Sequence, residues 1–227
     1  MIEAKTKQLD GDARDEILAS IRQNLADSKP FDAIREQHQH AAKPVSSPAE
    51  RMRSPISQAA LIENFRTNIE SVGGYCSVVS NKSEASDLVR ELIDRTSSKR
   101  IAVSNSELVT DLVNGIDVTR DADRDFLFGC DIGITGAQWA IAETGTLVLE
   151  SNAETHRLTS LVPPIHLCIL NADRIRQNLG EILSLNGADL SRTVTFITGA
   201  SRTSDIELTL AIGVHGPAEL HVIVIAD

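Results

Sequence analysis

Three glycine-punctuated polar segments in the second half of the 227-residue chain hold the residue types best suited to chemistry. The first runs Gly133-Ile134-Thr135-Gly136-Ala137-Gln138-Trp139-Ala140-Ile141-Ala142-Glu143-Thr144-Gly145-Thr146. Glycine lets backbone amides approach a ligand closely, as Gly136 and Gly145 would here. The hydroxyls of Thr135, Thr144 and Thr146 can donate to an anion, and Glu143 could act as acid, base or nucleophile. The alternative is a tight turn in which Glu143 caps backbone amides.

The second segment is Gly199-Ala200-Ser201-Arg202-Thr203-Ser204-Asp205-Ile206-Glu207, directly after an apolar run that reads as a strand. In open α/β sheets ligands bind beyond the carboxyl ends of strands. Ser201 and Thr203 offer hydroxyls, and Arg202 offers a forked donor suited to carboxylate or phosphate. Asp205 and Glu207, two residues apart, would share a face of a strand. A structural Arg–carboxylate turn is the competing reading. The third segment is Gly213-Val214-His215-Gly216-Pro217. Here His215, beside Gly216, could carry a proton or bind a ligand, or simply bond backbone in a hairpin turn.

The candidate catalytic residues are thus Glu143, Arg202, Asp205 and His215. Ligand binding falls to Thr135, Gly136, Thr144, Gly145, Thr146, Ser201, Thr203, Glu207 and Gly216. Their convergence on one place is an expectation about the fold. The other polar residues read as structural. Trp139 is expected to be packed, His156 and Arg157 to sit in a polar loop, and His166 and His221 to be satisfied within strands. His38 and His40 have a spacing that binds metal only weakly, so no metal site is expected. Neither a P-loop nor a G-x-G-x-x-G fingerprint is present.

The elements that would position these residues follow from apolar spacing. Residues 12–26 read as an amphipathic helix through Ile17, Leu18, Ile21 and Leu25. From Asp27 to Ser54 the pattern fades into a Pro-, His- and Gln-containing linker. The chain thus divides into a tethered N-terminal extension, residues 1–54, and a domain over 55–227. Ser54-Pro55 looks like a helix start, with Leu61, Ile62, Phe65 and Ile69 behind it. A strand over Tyr75–Ser80, a helix capped by Ser83, a strand over Arg100–Ser104 and a helix over 106–114 follow. This β–α–β–α order predicts parallel pairing in a three-layer, Rossmann-like α/β fold. Further strands are expected near Cys130–Thr135, Thr146–Glu150, Leu161–Leu170 and Val194–Thr198, with a helix face of Ile175, Leu179, Ile182 and Leu183. Alternation over Leu208–Val214, a His215-Gly216-Pro217 turn and Leu220–Ile225 suggest a C-terminal β-hairpin.

Composition sets outer bounds. The formal net charge is −10, with no basic stripe, which argues against nucleic acid as a partner. Cys76, Cys130 and Cys168 are odd in number and far apart, and are read as reduced, buried thiols rather than a disulfide framework or cluster site. No signal peptide or membrane-spanning run is visible, so a cytoplasmic location is expected.

The same segments carry a resemblance. GITGAQWAIAETGTLVLES, RLTSLVPPIHLCIL and ITGASRTSDIELTLAIGVHGPAELHVIVI, in that order, resemble the LUD-domain family, and within it the LutC-like (YkgG-like) branch. The likeness covers about residues 55 to 227, and RDEILASIRQNL near the N-terminus is also similar. One departure is Ala200, where the family often has proline. The resemblance implies a NagB/RpiA/CoA-transferase-like sheet. It also implies a place in bacterial conversion of L-lactate to pyruvate, beside LutA-like and LutB-like iron–sulfur proteins. This chain lacks their cysteine clusters, so it would hold no cofactor itself, and iron–sulfur clusters are expected in its partners. A homo-oligomer and a small organic-acid or phosphate-bearing ligand are compatible with this reading. A stand-alone acyl- or CoA-type transferase or ligase, or a small-molecule sensor, is the alternative.

Overall fold

The computed structural model describes residues 11–27 and 56–226, except 121, 152–156, 187–190, 192 and 204–210. The chain forms two compact units, Met1–Arg51 and Met52–Asp227. In the first, helix α1 spans Gly11–Asp27 and leaves Ile17 and Ile21 exposed. Everything that follows belongs to the second.

Helix α2 (Gln58–Ser71) buries Phe65 and Ile69. The expected cap at Ser54-Pro55 lies outside the described residues. The helix is capped by Ser57, whose Oγ accepts from the Ala60 amide at 3.3 Å. Helix α3 (Lys82–Arg95) is capped by Asn81 rather than Ser83. Asn81 Oδ1 accepts the Glu84 amide at 3.0 Å while the Glu84 carboxylate accepts the Ser80 amide at 2.9 Å. This reciprocal exchange satisfies two amides at once, which a lone serine cannot do. Three further short helices lie among the described residues: α4 (Glu107–Leu112), α5 (Arg124–Phe128) and α6 (Leu179–Asn186).

The strands are β1 (Tyr75–Val79), β2 (Ile101–Val103), β3 (Ile132–Gly136), β4 (Trp139–Ile141), β5 (Thr146–Glu150), β6 (Ile165–Asn171), β7 (Ile175–Arg176), β8 (Val194–Ile197), β9 (Arg202–Thr203), β10 (Ala211–Ile212) and β11 (Glu219–Ile225). A five-stranded parallel sheet has the order β1-β11-β6-β3-β2. A second sheet, β7-β4-β5-β8, is built on the antiparallel β4–β5 pair.

Alternation along the parallel strands divides two cores. Ile134, Leu167, Ile169, Ile223 and Ile225 face α3 and α4, meeting Val89 and Leu112. Cys168, Leu170, Val222 and Val224 face the opposite way, against Phe65 and Ile69 of α2 and Leu147 and Leu149 of β5. The result is the expected layered α/β fold with a mostly parallel central sheet. One outer layer is helical, and the other combines α2 with the small sheet.

Two expectations are corrected. The C-terminal hairpin does not form: Ala211–Ile212 pairs with Arg202–Thr203, and Glu219–Ile225 runs parallel between β1 and β6. The run from Leu220 to Ile225 is buried throughout, as a strand covered on both faces must be. Ile175 begins no helix, but enters β7 alongside Ala140.

Candidate functional site

The site is built around His166, the second residue of β6. Its neighbours in register are Gly133 on β3 and Leu220 on β11. The imidazole is fully buried on the α2 side of the sheet. Nε2 lies 2.8 Å from the Oγ1 of Thr135, and Nδ1 has no hydrogen-bond partner among the described residues. Burial holds the ring's pKa down to about 3, so it stays neutral.

Gly133, the register neighbour of His166, makes room for a crossing turn. The 3-10 turn Arg157–Ser160 crosses β3 there, and a Cβ on Gly133 would sit 1.9 Å from the Thr159 carbonyl oxygen. The turn brings Ser160, itself buried, to the floor of a cavity of about 220 Å³. Ser160 Oγ donates to the Arg157 carbonyl at 2.8 Å.

The opposite wall comes from the end of β8 and the loop beyond it: Phe196, Ile197, Thr198, Gly199 and Ser201. Thr198 Oγ1 lies 2.8 Å from Thr146 Oγ1, which lies 2.7 Å from Thr144 Oγ1. Gly199 has φ +90° and lies against the Val72 carbonyl at the end of α2. A side chain there would be strained and would also collide, so glycine is required. His215, Gly216 and Pro217 close the third side. The two loops are fastened by the Ser201 amide donating to the Pro217 carbonyl and the Gly213 amide donating to the Ser201 carbonyl, each at 2.9 Å. Leu161 and Leu220 complete the apolar lining.

Of the residues singled out from sequence, Ser201, His215 and Gly216 line this cavity. Thr135 stands one hydrogen bond behind His166; Thr146 stands one behind Thr198, and Thr144 two. Gly136 ends β3, buried beside Ile169. The others lie elsewhere. Glu143 is exposed on the β4–β5 turn, and Gly145 (φ +63°) seats that turn on Asn68 and Ile69 of α2. Arg202 is exposed, with its guanidinium across Gly73. Thr203 pairs with Ala211. Asp205 and Glu207 lie outside the described residues, as do His38, His40 and His156.

The cavity lies beyond the carboxyl end of β8, but at the amino ends of β6 and β11. His166 is the functional candidate that sequence reading passed over as a satisfied strand residue. The available signal was a polar side chain within an otherwise apolar run, Ile165–Leu170. His221, read in the same way, does have partners: its ring stacks on Tyr75 at 4.7 Å and its Nε2 lies 3.0 Å from Glu219 Oε2. Trp139 carries the guanidinium of Arg176 4.7 Å from its ring centre, a cation–π contact.

Among the described residues none that lines the cavity is Lys, Arg, Asp or Glu. Among the described residues no group of three or more His, Cys, Asp or Glu is arranged to hold a metal ion. No described helix is long and apolar enough to cross a membrane.

The fold is an α/β domain in which a small cavity lies at the amino ends of β6 and β11, beside a smaller mixed sheet. The LUD domain model matches residues 62–225, and the chain belongs to that family. It is 32% identical over 220 residues to the protein named lactate utilization protein C of Deinococcus radiodurans, covering 94% of this chain and 96% of that one. A protein of the same name from an Exiguobacterium species is 27% identical over 231 residues, with 94% and 96% covered. Among solved structures, a DUF162 family protein from Deinococcus radiodurans is similar with a TM-score of 0.60 at 27% identity. The match covers 75% of this chain and 99% of that one.

Proposed function

We propose that the chain acts in bacterial lactate utilisation as a cluster-free subunit working with LutA-like and LutB-like iron–sulfur proteins. The observation that carries this reading is the near-full-length match to proteins named lactate utilization protein C. Converting lactate to pyruvate releases two electrons and two protons, and the electrons need a redox centre to receive them. Cys76, Cys130 and Cys168 are too dispersed in sequence to form a cluster-binding motif, so this role is assigned to the partners. The chain's own contribution is the small cavity in front of His166.

The test is lactate-dependent pyruvate formation with an artificial electron acceptor, in a mixture of the chain and its two presumed partners. Omitting the chain is expected to abolish activity, and unchanged activity on omission would refute the subunit role. Within the same assay His166→Gln and Ser201→Ala are expected to impair turnover more than Glu143→Gln or Arg202→Ala, because the latter two residues do not line the cavity.

A further inference from the structure

We propose that the outer edge of β1 is a self-association surface, on which a second copy of this chain pairs its own β1 antiparallel about a two-fold axis through Ser77. The inference stands apart from the lactate-utilisation reading.

The two edges of the parallel sheet are treated differently. At β2 the chain covers its own edge: the Thr119 amide donates to the Ile101 carbonyl at 2.8 Å, and the Val103 amide donates to the Thr119 carbonyl at 3.0 Å. At β1, among the described residues, no strand pairs on the side away from β11. An open space of about 730 Å³ adjoins its amino end, lined by Glu70 and Cys76 from the α2 side and by Tyr75, Ser77 and Arg95 from the α3 side. Tyr75 is 58% exposed and Val78 39%. Free strand edges are normally blunted by proline, lysine or a bulge. Tyr75-Cys76-Ser77-Val78-Val79 has no proline and no charge, and its register with β11 is unbroken.

Hydrogen-bond direction sets the register of the mate. The Ala226 amide donates to the Val79 carbonyl at 2.8 Å, and Val79 pairs with Ile225, so the backbone groups of Val79 point at β11. Alternation along the strand turns those of Tyr75 and Ser77 the same way and those of Cys76 and Val78 outward. The flanking amides are satisfied within the chain, Gly74 by the Ile69 carbonyl and Ser80 by the Glu84 carboxylate, each at 2.9 Å. What the edge offers is the amides and carbonyls of Cys76 and Val78. A two-fold axis through Ser77 sets Cys76 against Val78 of the second copy, and every one of these groups gains a mate. No other antiparallel register of two β1 strands does so.

The side chains agree. The same axis places Tyr75 against Val79 and Cys76 against Val78, apolar on apolar. It also turns the Arg95 end of one α3, which lies by Tyr75, towards the Glu84 end of the other, which lies by Ser80. Opposite charges then flank the pair. A closed two-fold contact leaves no further edge at β1.

Sedimentation equilibrium on the full-length chain tests the association. At about 100 µM, well above the micromolar constants of weak specific interfaces, the species is expected to have twice the 24.6 kDa chain mass. Val78→Lys is expected to weaken association about a hundredfold, by setting an unpaired ammonium in the pairing edge. The register is tested with Cys76→Ser combined with Ser77→Cys. Opposed residues of a non-hydrogen-bonded pair have Cα atoms about 4.5 Å apart, within disulfide reach. Mild oxidation is expected to join the copies through the introduced thiols, read as a linked peptide pair by mass spectrometry. A chain that stays monomeric, a dimer indifferent to Val78→Lys, or a dimer that does not crosslink at position 77 would overturn the proposal. Should Val78→Lys fail to fold, the mass of the wild-type chain and the crosslink still decide.

Discussion

The Nε2 of His166 lies 2.8 Å from the Oγ1 of Thr135, across the β3–β6 pair and wholly out of solvent. One hydrogen bond thus serves a ring that has two nitrogens, and the second, equally buried, has no partner among the described residues. The bond to Thr135 fixes where the ring stands, and it is the ring's one hydrogen bond among the described residues.

The neutrality of His166 has a consequence for acid stability. Its pKa is about 3 when folded, against about 6.5 when exposed. The unfolded chain therefore binds the extra proton between these values, and stability falls as pH drops below about 6.5. The loss amounts to roughly 1.4 kcal/mol per pH unit from this group until about pH 3. His166→Gln is expected to flatten that slope. Urea denaturation of both proteins between pH 7 and pH 4 checks it, and parallel slopes would show that the ring is not buried neutral.

Gly133→Ala is expected to destabilise the domain by about 3 kcal/mol, because the new methyl would meet the Thr159 carbonyl oxygen at 1.9 Å. Both partners are backbone, so neither can step aside cheaply. A loss under about 0.5 kcal/mol in chemical denaturation would mean that the 3-10 turn lifts freely from β3.

Asp131 accepts the backbone amides of Lys99 and Arg100, both at 2.8 Å, and these bonds hold its carboxyl below the usual range. A depressed carboxyl contributes stability above its unfolded pKa and loses it as pH falls through its folded one. Asp131→Asn should cost about 1 kcal/mol at neutral pH, discounted for solvent contact, and the cost should vanish in acid. A pH-independent difference in melting would point to packing instead.

Removing residues 1–54 is expected to leave 55–227 folded with one cooperative transition, while weakening association with the proposed partners. Circular dichroism and a pull-down on the truncated chain measure the two effects separately. An unfolded product would place α1 within the core.

The sequence reading succeeded where burial leaves a local trace. Val89 and Leu92 at helical spacing, and Ile132 and Ile134 at strand spacing, declared α3 and β3, and the β–α–β order between Tyr75 and Val103 declared parallel pairing. It failed where the partner is remote. Nothing local to Leu220–Ile225 says that its neighbours are Tyr75–Val79 and Ile165–Asn171, so sequence alone pairs it with the nearest apolar segment. The same limit hid His166, because the cleared space at Gly133 and the hydroxyl of Thr135 lie about thirty residues away. Ser201, His215 and Gly216 were legible because the turn that bears them needs glycine and proline on the spot. Glu143 and Arg202 have the right chemistry, but where their backbones carry them depends on contacts with α2 and Gly73.

The place of β11 also bears on how the chain is made. Among the described residues β1 has only β11 beside it, and β11 is what joins β1 to the β6-β3-β2 group. A ribosome that has released residues 75–171 has delivered four of the five parallel strands and still cannot unite them. Closure waits for residues 219–225, across the high sequence separation that makes such pairings slow. A nascent or prematurely stopped chain should therefore present two unjoined sheet edges, and depend on chaperones until that strand arrives.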